Sequence, residues 1–402
     1  METKRKALKL NIIYAMVQGI FWFAYCAAGS FATVFLQSAG YSNTELGLII
    51  SAACVFAVIV PTVVSPVIDK SEKLSTSHVV IASLVLQMII GLLIVFFAQK
   101  GFMMSLCYLI FAGIMYMNNA FCTQIAIDHS SEGCRVNYGF SRAFGSFIFV
   151  FASAIIGKLL ERYSYKVLPL TSVIMQGILI LLIIAMAVMD GCMKQKKITD
   201  EGTAEKGSGL FEFLRENKYF TILLLGIVIL FASFNYVDVY MINLIEDLGG
   251  NATDMGYIFS VYAFLEIPAM LLWARFSEGR LATGILMMTF FMFTMRQFVF
   301  LFAGNVSTLY FGGIFQFLSY GIYTPAIVDY ILKTIPLKDS TKAQSLAGSV
   351  TIIGMVLACT IGGYLTDVTS SHSVLSGFSY ISIIGTAICV FAVAKTVIRP
   401  RN

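Results

Sequence analysis

Four ionisable side chains lie inside otherwise apolar runs: Arg142, Asp238, Glu266 and Arg296. A charge at mid-membrane costs roughly 2.5–3.5 kcal/mol on insertion scales, so a residue of this kind is rarely idle. Two basic and two acidic groups allow two readings. In one, they neutralise each other as ion pairs that hold helices together. In the other, one carboxylate takes up and releases a proton. Burial favours its neutral form and a nearby arginine favours its charged form, so binding a solute or opening to water shifts the balance. Glu266, mid-span in Leu265-Glu266-Ile267-Pro268, is the first candidate for the proton site, and Asp238 is the second. Arg142 and Arg296 are the charges that would tune them.

Amides and aromatic rings surround these charges at helical spacing. Gln18, Trp22, Tyr25 and Gly29 are four, three and four residues apart, which puts all of them on one helix face. Gln316, Tyr320 and Tyr323 follow the same pattern, Asn235 lies one turn before Asp238, and Asn119 adds an amide in another apolar run. Amides are costly against lipid, so these faces should point inward. They serve either as hydrogen bonds between helices or as the lining of a cavity. A cavity of amides, phenols and one or two carboxylates suits a polar, ring-bearing solute: rings stack on aromatics and amides take hydroxyls. Asp128 and Asp329 fall near span ends, where water can reach them. Asp128, one turn beyond Gln124, is also placed to pair with Arg142 as part of a gate.

The elements that must hold these residues follow from composition. Of 402 residues, 58% are hydrophobic and 12% charged, against about 25% charged in soluble proteins. The run from Ile12 to Leu36 carries no charge, and about 20 apolar residues cross a bilayer as a helix. Only helices and closed barrels satisfy their backbone there. These runs lack the alternation of barrel strands, so the fold class is an all-α membrane protein. Twelve spans are expected, near 11–37, 43–67, 76–98, 102–127, 137–160 and 167–190, then 219–246, 254–275, 281–302, 305–332, 344–366 and 374–396. The first follows Lys4, Arg5 and Lys6 and is too long for a signal peptide. The layout is an N-terminal six-helix bundle (1–192), a charged cytoplasmic linker (193–218) and a C-terminal six-helix bundle (219–402). Phe211 to Arg215 is expected to form a short amphipathic helix.

Charge sets the orientation. Of 27 Lys and Arg residues, 21 lie at the termini, in the linker and in loops after even-numbered spans. Four lie after odd-numbered spans, namely Lys100, Lys158, Arg162 and Lys166, and the other two are Arg142 and Arg296. The positive-inside rule therefore places both termini in the cytoplasm. The net charge of +5 sits in short loops and does not indicate nucleic-acid binding. Eight cysteines form no CxxC pair, the three histidines (His78, His129, His372) have no metal-ligand spacing, and no phosphate-binding glycine loop is present. No metal, cofactor or enzymatic activity is expected.

Two segments carry a family resemblance. Gly40-Tyr41-Ser42-Asn43-Thr44-Glu45-Leu46-Gly47 joins spans 1 and 2, and Ser65-Pro66-Val67-Ile68-Asp69-Lys70 closes span 2. Tyr138-Gly139-Phe140-Ser141-Arg142-Ala143-Phe144-Gly145-Ser146 opens span 5. Together they resemble the major facilitator superfamily, in the branch of the lactose permease and the nucleoside and phenylpropionate proton symporters. The first motif is shortened to Asp69, Lys70 and Lys73. The resemblance implies a gating role for Asp69. It sets Gln124 where the permease has its sugar-binding carboxylate and Phe149 where it has a stacking tryptophan. Asp238, Asn243 and Arg296 match permease residues, whereas Gln316 and Ser319 stand where its coupling His and Glu would be. The implied function is proton-coupled symport of a sugar, nucleoside or small aromatic acid across the inner or plasma membrane. The chain would act as a monomer, with the solute bound near the midplane between the bundles. The rivals are a proton-driven exporter of drugs or metabolites and a membrane sensor that has kept the fold.

Overall fold

The computed structural model describes residues 2–71, 74–97, 99–129, 136–190, 209–276 and 279–398. α1 (Glu2–Tyr25) passes through a π-helical turn (Cys26–Ser30) and Phe31 into α2 (Ala32–Ser38). α3 (Asn43–Lys70), α4 (Thr76–Phe96), α5 (Phe102–Asp128), α6 (Tyr138–Arg162) and α7 (Val167–Asp190) complete six spans. The short α8 (Leu210–Glu216) precedes α9 (Lys218–Val239), which continues as α10 (Met241–Asp247). α11 (Ala252–Phe276) and α12 (Gly279–Leu301) follow. Two π-helical turns join α13 (Val306–Gln316) to α14 (Ile322–Thr334) and α15 (Leu337–Leu357) to α16 (Gly363–Val368), and α17 (Ser371–Ile398) ends the bundle. Among the described residues, twelve spans in two sets of six result.

Local chemistry explains where the helices start. Ser42 caps α3 by accepting from the Glu45 amide, and Glu45 Oε2 accepts in return from the Ser42 amide at 2.9 Å. Ser75, Asn137 and Asn305 cap α4, α6 and α13 in the same manner. α15 begins at Leu337, before the apolar run, because Asp339 and Lys342 pair at 2.8 Å one turn apart and let the helix form outside the apolar layer. Of the expected linker, residues 193–208 lie outside the described residues. Its last part is the helix α8, with Phe213 fully buried and Phe211 exposed.

The described residues form two compact units: Met1–Ile198 with Ala252–Ala263, and Thr199–Asn251 with Phe264–Asn402. In the first, α1 packs on α6 and α7, and α5 packs on α3 and α4. The start of α11 belongs here and lies against α6, where Ser260 donates to the Val150 carbonyl at 2.7 Å. In the second, α9 packs on α15 and α17, and α12 on α17. Phe220, Leu223, Ile227, Leu230, Phe290 and Ile331 are among its buried core.

The chain repeats itself. One constant offset carries Gly40 to Gly249, the two glycines with positive φ among the described residues (93° and 79°), and also Phe31 to Tyr240, where the first span of each half is interrupted. The same offset carries Glu45 to Asp254, Trp22 to Phe231 and Tyr25 to Phe234. Each half therefore begins with the same broken span, left-handed glycine turn and acidic first helical turn.

Among the described residues, ten helices are long and apolar enough to cross a membrane. Helix packing in lipid depends on small residues at contacts. A Cβ on Gly226 of α9 would lie 2.5 Å from Cys389 Sγ and 3.0 Å from its backbone nitrogen on α17. Backbone cannot yield as a flexible side chain can, so Gly226→Leu should lower stability by about 1–3 kcal/mol or more. Thermal unfolding of the purified variant checks this, and an unchanged midpoint would contradict the packing.

Candidate functional site

In the first unit the aromatic face of α1 carries the arginine of α6. The Arg142 guanidinium carbon sits 4.1 Å from the centre of the Trp22 ring, and Arg142 Nη1 donates to Ser146 Oγ at 2.9 Å. Gly145 makes this approach possible, because a Cβ there would come within 2.7 Å of Trp22 Cδ1. Trp22 packs against Tyr25 at 5.0 Å and edge-on to Phe149 at 6.4 Å, and Tyr25 continues to Tyr116 at 5.8 Å. The Trp22 indole N–H is buried without a hydrogen-bond partner. Arg142 is thus held by a π face and a hydroxyl. Among the described residues it makes no ion pair, which leaves its charge available to an electron-rich ligand.

The other candidates of this unit are occupied in bracing helices. Gln18 is 2% exposed. It donates to Tyr14 Oη at 2.7 Å, and that hydroxyl donates to the Cys122 carbonyl of α5 at 2.9 Å. Gln124 donates to Asp128 Oδ1 at 2.8 Å, and Thr76 of α4 donates to the other carboxylate oxygen. Asp128 thereby ties the end of α5 to the start of α4. Asn119 is exposed, whereas its neighbour Asn118 is buried and accepts from Ser83 at 2.9 Å. Asp69 lies on the last turn of α3, and its side chain falls outside the described residues.

The second unit gathers both remaining charge candidates. Arg296 is 0% exposed and pairs with Asp238 at 2.6 Å, the carboxylate being 33% exposed. The guanidinium also lies between two rings, 4.5 Å from the centre of Phe234 and 4.8 Å from that of Phe300. Phe234 stacks in parallel on Tyr320 at 5.5 Å, and Phe231 packs on Tyr323 at 5.3 Å. Asn235 is half-buried beside this group on α9. Tyr323 is buried with no partner for its hydroxyl.

Glu266 is half-buried on α11 and accepts from Gln316 Nε2 at 2.8 Å. The two helices meet closely because Gly321 lies in the π-helical turn after Gln316, where a Cβ would reach within 2.7 Å of Ala269 Cβ. Pro325 lacks the N–H that would bond the Gly321 carbonyl four residues back, which helps explain the widened turn. Pro268, two residues past Glu266, lies inside the continuous helix α11 and lacks the N–H that would bond the Phe264 carbonyl.

Three contributors escape a reading by residue type alone. Phe234 and Phe231 are plain phenylalanines in an apolar run, yet they organise Arg296, Tyr320 and Tyr323. The internal repeat would have flagged them as the counterparts of Tyr25 and Trp22. Gln297, next to Arg296, is 1% exposed, and neither end of its amide has a partner. Among the described residues no three His, Cys, Asp or Glu side chains come together as a metal site.

Known proteins share both the sequence pattern and the fold. A family model described as "MFS_1 like family" matches residues 14–377. An uncharacterized transporter of Bacillus subtilis (strain 168), YwbF, is 22% identical over 393 residues, spanning 96% of this chain and 94% of that protein. The crystal structure of the nucleoside transporter NupG superposes with a TM-score of 0.77 at 16% identity, covering 98% of this chain and 99% of that one. A point mutant of NupG gives 0.79 at 15% identity, covering 97% and 99%. A bacterial homolog to the human lysosomal transporter Spinster, inward-facing and unoccupied, gives 0.69 at 13% identity, covering 99% of both chains. These likenesses show the major facilitator fold.

The two arginines should respond differently to mutation. Asp238→Asn leaves Arg296 buried without its counter-charge, a loss of about 3–5 kcal/mol for a fully buried pair and toward the lower end here because Asp238 is partly exposed. The double change Asp238→Asn with Arg296→Gln should recover most of that stability. Arg142→Gln, which breaks no ion pair, should shift the unfolding midpoint little. Equal destabilisation by Asp238→Asn and Arg142→Gln would contradict this assignment.

Proposed function

We propose, from the premise that this chain belongs to the MFS_1 like family of membrane transporters, that it is a proton-coupled symporter whose solute is a nucleoside. The single observation that carries the coupling is the Glu266–Gln316 contact. It is a half-buried carboxylate in a membrane span that accepts a hydrogen bond from an amide, whereas Asp238 is paired with Arg296. Protonating Asp238 would leave the buried Arg296 without its counter-charge. Glu266 can exchange its charge for a proton and keep a hydrogen bond to the amide. Asp238–Arg296 then acts as a structural ion pair and Glu266 as the site that loads and releases the proton.

The substrate reading rests on chemistry in both units. The Trp22–Tyr25 and Phe234–Tyr320 pairs offer ring faces, and Arg142, Asn235 and Gln316 offer hydrogen bonds. A nucleoside presents a stacking base together with sugar hydroxyls and ring acceptors, so it uses both kinds of group. The fold shared with a nucleoside transporter supports this choice over a plain sugar. The transport cycle would proceed by alternating access. The remaining parts of the reading are the division into bundles 1–192 and 219–402 with a cytoplasmic connector at 193–218, both termini in the cytoplasm, and residence in the cell's inner or plasma membrane as a monomer. The charge asymmetry of the loops supports the cytoplasmic placement of the termini and the connector.

Two variants test the assignment in proteoliposomes with radiolabelled uridine. Glu266→Gln fixes a neutral, isosteric side chain. It should keep exchange of preloaded uridine and lose accumulation driven by an imposed pH gradient. Uphill accumulation by Glu266→Gln would remove Glu266 from the coupling role.

Arg142→Gln should lose uptake by about a hundredfold while staying folded, and Arg142→Lys should recover only part of it, since lysine keeps the charge without the planar stack. Wild-type uptake in Arg142→Gln would overturn the binding role of this residue.

A further inference from the structure

Gln316 is 4% exposed, yet only one end of its amide is used. Nε2 donates to Glu266 Oε1 at 2.8 Å, and Oε1 of Gln316 is buried with no donor. A primary amide has a donor end and an acceptor end, an ionised carboxylate only accepts, and a protonated carboxyl offers one O–H. The observed orientation is therefore the one that an ionised Glu266 requires. The amide must turn its N–H groups to the carboxylate, and its carbonyl is left facing elsewhere. Protonating Glu266 supplies the missing donor. A half-turn of the terminal amide brings Oε1 to the new O–H and moves the NH2 group to where Oε1 had been. That terminal torsion is soft and roughly two-fold, and the two ends of the amide are nearly equal in size, so the backbone need not move.

We infer that Gln316 is a proton-driven amide switch that sets the hydrogen-bonding polarity presented to the solute. With Glu266 ionised, the amide presents an acceptor. With Glu266 protonated, it presents a donor. A solute that offers an acceptor, such as the carbonyl of a pyrimidine base, is then held while the proton is aboard and loses its partner when the proton leaves. Gln316 thus couples proton to solute as a positioning and specificity residue, and no charge need touch the solute. This inference rests on Glu266 being the proton site, and it adds the requirement that the solute carry a hydrogen-bond acceptor at that end. The position of Gln316 in the fold suits such a switch. It is the last residue before the π-helical turn and lies four residues before Tyr320, whose ring stacks on Phe234.

Other titratable and charged groups stand on the elements that touch α11. The α13–α14 span carries Tyr310, Tyr320, Tyr323, Asp329, Tyr330 and Lys333, and α6 carries Arg142, Lys158, Glu161 and Arg162. Among them Asp329 is engaged by the Trp273 indole N–H at 2.7 Å. Asp329→Asn therefore serves as the control for a carboxyl signal that does not come from Glu266.

Infrared difference spectra between acid and alkaline buffer test the switch on the purified full chain in lipid nanodiscs, with glutamine carbon-13 labelled. The wild type should show a protonated carboxyl band that disappears in Glu266→Gln. A glutamine carbonyl band that shifts with it should disappear in Gln316→Met. Asp329→Asn should keep both bands. A Glu266 band with an unmoved Gln316 carbonyl overturns the switch and leaves the proton site standing. Absence of any Glu266 band overturns both. As a second readout, uridine should bind about tenfold more tightly in acid than in alkali to the wild type and with less than about twofold difference to Gln316→Met. Full pH dependence retained in Gln316→Met contradicts the inference. Failure of the wild type to bind uridine, with the coupled bands present, counts against the nucleoside reading alone.

Discussion

A bilayer gives a polar side chain nothing to bond to, so a charge in a span is stabilised by partners within the protein. That constraint orders this structure. Arg296, fully buried, is met by Asp238 and by two phenylalanine faces. Arg142 is met by an indole face and a serine hydroxyl. Glu266 is met by the donor end of an amide. The ways these charges are met differ in how easily they change. An ion pair between aromatic rings is locked in both partners. A cation on a ring is held weakly enough to turn to a ligand, and a carboxylate on an amide can exchange its charge for a proton without losing its hydrogen bond.

The two halves share a backbone plan and use it differently. The broken first span and left-handed glycine recur at a fixed offset, which gives each half a matching aromatic face, Trp22 with Tyr25 and Phe231 with Phe234. In the first half that face carries an arginine with no carboxylate partner among the described residues. In the second it packs against Tyr320 and Tyr323, next to the carboxylate chemistry. Ring contacts and a positive charge therefore come from one unit, and a carboxylate–amide contact, an ion pair and further ring contacts from the other.

Much of this was legible in the chain. The spans follow from apolar runs interrupted by charged loops, and the helix starts from Ser42, Ser75, Asn137 and Asn305. Helical spacing grouped Gln316 with Tyr320 and Gln18 with Trp22. It did not tell which group would be spent on structure. Gln18 and Gln124 are amides like Gln316, but Tyr14 and Asp128 happen to lie within reach and absorb them. Partners of this kind depend on long-range packing that no local spacing records. The early start of α15 was hidden for a different reason, because hydropathy marks where a helix enters the apolar layer and not where it begins. Which carboxylate meets an arginine was likewise a matter of three-dimensional pairing: Asp238 lies close to Arg296, and Glu266 lies close to Gln316.

The central claim is that solute and proton bind as a linked pair, and linkage is reciprocal. The most direct measurement adds uridine to purified protein in weakly buffered alkaline solution and follows bulk pH with an indicator dye. The account predicts net proton uptake on binding in the wild type and none in Glu266→Gln at matched occupancy. Binding by the wild type with no proton uptake, or with proton release, would contradict it.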